Sequence, residues 1–182
     1  KGLYQWIEGQ QQPELLWRFS QSNQTMSNEL IVDMVASEDG GLWLASRDDG
    51  AYYWHPRSTS FRHLELQPQK AMSPDNNSSL NRTVLTMAED PQHHLWLGGF
   101  QGLKKLAAGT TTLTDVALPD QLPPEFSNAI NRIFPTKDGK LWLRRGSSLL
   151  LFSPETNQFL APPLQDQSQA SILTESALGH WQ

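Results

Sequence analysis

Five carboxylates in three short stretches invite a catalytic reading of this chain: Glu38-Asp39, Glu89-Asp90 and Asp138. A glycoside hydrolase needs two such groups facing one substrate, one acting as acid and the other as base or nucleophile. Here each stretch precedes the same tripeptide, Leu-Trp-Leu, by a few residues. The carboxylates are therefore expected at equivalent turns of successive units, far apart, each bonding its own turn backbone. His93-His94 raises a metal reading instead. Adjacent strand residues point to opposite faces and no cluster of ligand spacing accompanies the pair, so a solvated hairpin tip is expected. Cysteine is absent, which removes thiolate chemistry and disulfides. No Ser-His-Asp order, phosphate-cradling Gly loop or HExxH helix occurs. No catalytic residue, metal ligand or cofactor is assigned.

The elements that would hold these residues follow from the tripeptide itself. Leu42-Trp43-Leu44 returns as Leu95-Trp96-Leu97 and as Leu141-Trp142-Leu143, with a further Trp at 181. Apolar side chains on consecutive residues point to both faces of a strand, which predicts a strand covered on both sides. Repeats of about 40–50 residues mean solenoids, propellers or arrays. Each copy runs from an apolar alternation through an acidic turn, into Leu-Trp-Leu, then a loop and further apolar strands. Asp39-Gly40 between apolar segments is a hairpin signal, and Pro91 with His93-His94 predicts one lengthened hairpin. Four short antiparallel strands in under about 40 residues make a propeller blade. The predicted units are a half-blade at 1–20, blades at 30–66, 83–118 and 129–164, and a second half-blade at 170–182. The first half-blade carries strands Leu3–Trp6 and Leu15–Phe19; the second opens near Ile172 and reaches Trp181. The predicted fold is all-β, an arc of a larger propeller, with half-blades left as open edges or paired with another copy. The three tryptophans are expected in equivalent buried positions, wedged between neighbouring sheets.

The order Ala88-Glu89-Asp90 through Leu95-Trp96-Leu97-Gly98 to Gly102-Leu103 resembles the two-component regulator propeller repeat. Asp39-Gly40-Gly41-Leu42-Trp43-Leu44 and Asp138-Gly139-Lys140-Leu141-Trp142-Leu143 are close to it, with Ala45 and Arg144 standing where that family usually has Gly. The resemblance covers nearly the whole chain. It implies the extracytoplasmic, periplasmic sensor region of a bacterial signalling protein. In that family such repeats precede a membrane anchor and a cytoplasmic output module, commonly a histidine kinase or a diguanylate cyclase.

In a propeller, the loops after the second strands and those leading into the first strands share one face. That face is predicted to carry Arg47, Asp48, Asp49, Phe100, Gln101, Arg144 and Arg145, with Arg82 and Arg132 from the second set. Guanidinium forks bind carboxylates and stack on rings, so the expected ligand is small and anionic or sugar-like. The function expected is non-catalytic sensing. The alternatives are a lyase or glycosidase on the same scaffold, or a pure protein-interaction propeller. Of 182 residues only 18% are charged, for a net charge of −5. That balance offers no basic footprint for nucleic acid. No apolar run approaches a membrane span and no signal peptide is visible, so any targeting segment is expected to lie outside these residues. Asn-x-Ser/Thr triplets at Asn23, Asn76, Asn77 and Asn81 fall in polar loops.

Overall fold

The computed structural model describes residues 2–18, 30–58, 60–66, 82–118 and 129–160. The four Asn-x-Ser/Thr sites, the 170–182 half-blade and the predicted buried position of any Trp181 strand lie outside these residues. Two compact units are present, Lys1–Leu30 and Ile31–Gln182. The first is a hairpin of β1 (Gly2–Gln5) and β2 (Glu14–Arg18), with Leu3 opposite Trp17 and a bulge after Leu3.

The second unit holds three four-stranded antiparallel sheets. The first comprises β3 (Ile31–Ala36), β4 (Leu42–Ser46), β5 (Ala51–Trp54) and β6 (Arg62–Leu64). The second comprises β7 (Val84–Glu89), β8 (Leu95–Gly99), β9 (Gly102–Leu106) and β10 (Leu113–Val116). The third comprises β11 (Ile130–Pro135), β12 (Leu141–Arg145), β13 (Ser148–Ser153) and β14 (Gln158–Leu160). Strands follow one another in chain order within every sheet, and β7 adjoins both β3 and β11. This is the arrangement of propeller blades, an arc whose first strands line the inner side. A bulge recurs at the second residue of each inner strand, at Val32, Leu85 and Asn131.

Leu-Trp-Leu works as its alternation dictates. Trp43 and Ala45 pack against Val84, Leu95 and Leu97 of the second sheet, while Trp96, on the opposite face, packs against Ile130, Leu141 and Phe152 of the third. Each tryptophan thus faces the following sheet. Trp43 and Trp96 are buried as expected. Trp142 departs from that expectation: it holds the equivalent position on β12 but is only half-buried. Leu141 and Leu143 turn toward the second sheet, so Trp142 faces the other way, where no described sheet of this unit follows. The seams demand small residues near the inner strands. A Cβ at Gly98 would lie 2.8 Å from Ile130 Cγ2 and 2.9 Å from its carbonyl oxygen. At the matching position the third sheet carries Arg144, exposed.

The β7–β8 hairpin is not longer than the others, contrary to the sequence expectation. Backbone bonds close five residues in all three: Ser37 N–H to Gly41 O, Asp90 N–H to His94 O, and Thr136 N–H to Lys140 O. Asp90 therefore corresponds to Ser37 and Thr136, not to Asp39 and Asp138. The left-handed position is filled by Gly40 (φ 86°), His93 (φ 61°) and Gly139 (φ 79°). Pro91 is absorbed without an insertion because it stands early in the turn, where its fixed φ is tolerated.

Candidate functional site

The register sets the geometry of the predicted face. Ile31 pairs with Ser46, Val84 with Gly99 and Ile130 with Arg145. The start of each first strand therefore lies beside the end of each second strand, and the two loop sets share one end of every sheet. Adjoining blades are joined there, since Gly50 N–H donates to the Arg82 carbonyl at 2.8 Å.

Within this end the predicted residues part company. Arg47 and Asp48 are exposed on the β4–β5 loop, whose bend is held by Ser46 Oγ accepting from Asp48 and Asp49 N–H. Asp49 serves the framework, since its carboxylate accepts from the Tyr52 hydroxyl at 2.5 Å and lies 3.6 Å from His63 Nε2, with the Tyr52 and His63 rings stacked at 4.6 Å. Arg82 is half-buried and offers its carbonyl to Gly50. Phe100 is 39% exposed and neighbours half-buried Gln101. Arg144 and Arg145 do not form a loop pair. Both belong to β12, the turn is Gly146-Ser147, and strand neighbours point to opposite faces. Arg145 is buried, whereas Arg144 is exposed beside its pairing partner Arg132 and donates from Nε to Gly146 O at 3.2 Å. Gln101 Oε1 and Asn131 Oδ1 are buried here without a hydrogen-bond partner among the described residues. The hollow beside Gln101 has room for about one water, near 10 Å³.

Larger spaces lie at the opposite, hairpin end, where the sequence marks turn carboxylates and a histidine pair but no cleft. One groove of about 530 Å³ separates the first two sheets. Another, of about 560 Å³, runs among the ends of β3, β7 and β11, where Met34 is 58% exposed. The turn carboxylates stand here: Asp39, Asp90 and Asp138 bond their own turns, but Glu38 and Glu89, expected far apart, both reach His93 because adjoining blades bring successive hairpins together. Asp39 accepts from Gly41 N–H at 2.8 Å and from the Tyr53 hydroxyl. The Tyr53 bond, joined by that of Gly41, holds Asp39 below its ordinary value against the opposing effect of burial. Burial, reinforced by Asp39, pushes Tyr53 up to about 12. Lys140 and then Thr136 hold Asp138 down to about 2. His93 Nδ1 is 3.2 Å from Glu89 and its Nε2 3.5 Å from Glu38, and His94 Nδ1 is 3.0 Å from Asp90. No group of three metal-ligating side chains occurs among the described residues.

His93 occupies a backbone region that costs a non-glycine residue about 1–2 kcal/mol. His93→Gly is expected to raise stability by about 0.5–1 kcal/mol, the gain being cut by glycine's unfolded-state entropy. Gly40→Ala, whose Cβ would meet nothing within 4 Å, is expected to lose about 1 kcal/mol on the same backbone ground. Urea denaturation of the two variants checks the opposite signs.

No family model matches this chain, and neither does any curated protein. Solved structures do. The extracellular domain assigned to a hybrid two component system, BT3049 from B. thetaiotaomicron, aligns over 87% of this chain and 18% of its own at 16% identity, TM-score 0.56. A catalytically inactive variant of virginiamycin B lyase from Staphylococcus aureus, with quinupristin, aligns over 80% of this chain and 45% of its own at 12% identity, TM-score 0.58. PorZ, a surface component of the type-IX secretion system of Porphyromonas gingivalis, aligns over 76% and 22% at 17% identity, TM-score 0.53. This chain spans less than half the length of each of these structures. At such identities the likeness is one of fold: the chain shares the bladed all-β architecture of these proteins.

Proposed function

We propose that this chain is part of a non-catalytic, extracytoplasmic sensor propeller of a bacterial signal-transduction protein, located in the periplasm. A small anionic or sugar-like ligand, or the partner domain that relays the signal, meets the loop end of its blades. Ligation there controls a membrane-anchored module with a cytoplasmic output. The observation that carries this reading is the shared end of the sheets, where the Gly50–Arg82 bond ties the loop of one blade to the next. A ligand held by Arg47, Arg82 and Phe100 would act on the seam between two blades at once. Arg132 and Arg144, paired on β11 and β12, add two guanidinium groups suited to a carboxylate. The fold likeness to an extracellular sensor domain supports the same reading.

A thermal-shift screen against sugars, uronates and organic acids tests it. A ligand at 100 times its Kd adds about 2.7 kcal/mol of stability. Arg82→Glu and Arg144→Glu are expected to remove that shift while circular dichroism stays unchanged. Mass spectrometry should recover the ligand unaltered; turnover would favour the lyase or glycosidase alternative. A hit whose shift survives both charge reversals would place binding elsewhere and count against the loop end.

A further inference from the structure

We propose that the groove between the hairpin end of the first sheet and the second sheet binds a small zwitterion, a free α-amino acid with an apolar side chain. This site is separate from the loop end considered above. Its volume of about 530 Å³ falls within the range of small-ligand clefts.

One wall presents a prepared cation. The Arg62 guanidinium on β6 lies 5.1 Å from the Tyr53 ring centroid and 5.5 Å from that of Trp43, and these rings touch at 4.7 Å. Tyr53 is pinned in turn, its hydroxyl donating to Asp39, which is anchored by Gly41 N–H. Among the described residues no carboxylate lies within ion-pair distance of Arg62. An arginine held over two aromatic rings has less rotamer entropy left to lose, and its N–H fork suits a carboxylate.

The second sheet carries Glu89 at the end of β7, and Glu38 of the β3–β4 turn lines the same groove, the His93 ring standing between these two carboxylates at 3.2 and 3.5 Å. Each carboxylate has about four lone-pair directions and a neutral imidazole has a single N–H to give, so both carboxylates can still accept from an ammonium. Leu95, Leu106 and the Ala107–Thr111 turn complete the lining. The charges discriminate between ligand classes. A simple anion gains Arg62 but meets Glu38 and Glu89; a simple cation gains the carboxylates but meets Arg62. A molecule with carboxylate and ammonium on one carbon satisfies both walls, and an aliphatic side chain suits the leucine and alanine lining.

Isothermal titration of the chain at neutral pH with L-leucine, N-acetyl-L-leucine and L-leucinamide tests the assignment. L-Leucine is expected to bind, and each capped form, lacking one charge, to bind at least tenfold more weakly. Arg62→Gln should erase the preference for leucine over leucinamide, and Glu89→Gln the preference over N-acetyl-leucine. Should either variant fail to fold, amide NMR of the unaltered chain decides: leucine is expected to move the resonances of Leu106 to Thr111 and Gly41. Absence of leucine binding, equal binding of the three compounds, or shifts confined to residues 100–101 and 146–147 would overturn the proposal.

Discussion

Trp96→Ala is expected to lower the unfolding free energy by about 3–5 kcal/mol, the range of a large aromatic removed from a core. The side chain is only 1% exposed, meets Phe152 edge-on at 5.5 Å and lies beneath the Lys105 ammonium at 5.1 Å. It also closes the seam between the second and third sheets, so the void opens between two blades, where the flanking β8 and β11 backbones are already in close contact at Gly98. Such a seam can collapse only by shifting a whole sheet. Trp142→Ala, at the matching position but half-buried, is expected to cost less than half as much. Equal losses in chemical denaturation of the two variants would contradict the assignment of Trp96 to a covered seam and Trp142 to an open face.

Asp90→Ala is expected to cost about 2–4 kcal/mol, because it strands donors that were satisfied by one buried acceptor. The Asp90 carboxylate accepts from Trp96 Nε1 at 2.8 Å, from Gln92 and His94 N–H at 2.9 Å, and lies 3.0 Å from His94 Nδ1. Its loss should be strongly non-additive with Trp96→Ala, since both remove the indole bond. The same carboxylate gives the fold an acid sensitivity. Burial alone would raise its pKa, but the Trp96 and His94 hydrogen bonds outweigh burial and hold it below the ordinary carboxylate value. The unfolded chain then binds the proton more readily than the folded one. The stabilisation is full above the unfolded pKa of about 3.9 and is lost as pH falls through the lower folded value. Asp90→Ala should therefore flatten the fall in stability below about pH 4, a result checked by denaturation at stepped pH.

Much of this molecule is legible along the chain because its determinants are local. Period-2 apolar alternation, Gly or an acidic residue in the turns, and the recurring Leu-Trp-Leu name the strands, their antiparallel succession and the blade unit. They also foretell that the turn carboxylates bond their own backbones, as Asp39 and Asp90 do. By residue type, however, Asp90 matches Asp39, whereas turn closure pairs it with Ser37. Hairpin equivalence is a matter of backbone hydrogen bonding, and a histidine in a glycine's place conceals it.

Other features were decided only when sheets met. Arg144 and Arg145 are neighbours in sequence, yet the pleat sends one outward and buries the other. Trp142 repeats the chemistry of Trp96 without its burial, because burial belongs to the sheet that follows. Asp49 reads as a loop carboxylate, but the Tyr52–His63 stack claims it. The groove beneath Arg62 draws on the first two sheets, from β6, the β3–β4 turn, the end of β7 and the β9–β10 turn. No spacing along the chain signals it, since its shape is the gap left between two sheets whose separation is set by Trp43, Leu95 and Leu106 packing. Strand order and turn chemistry are properties of short segments and so belong to the sequence; faces, seams and clefts depend on distances between segments, which only the packed tertiary structure defines.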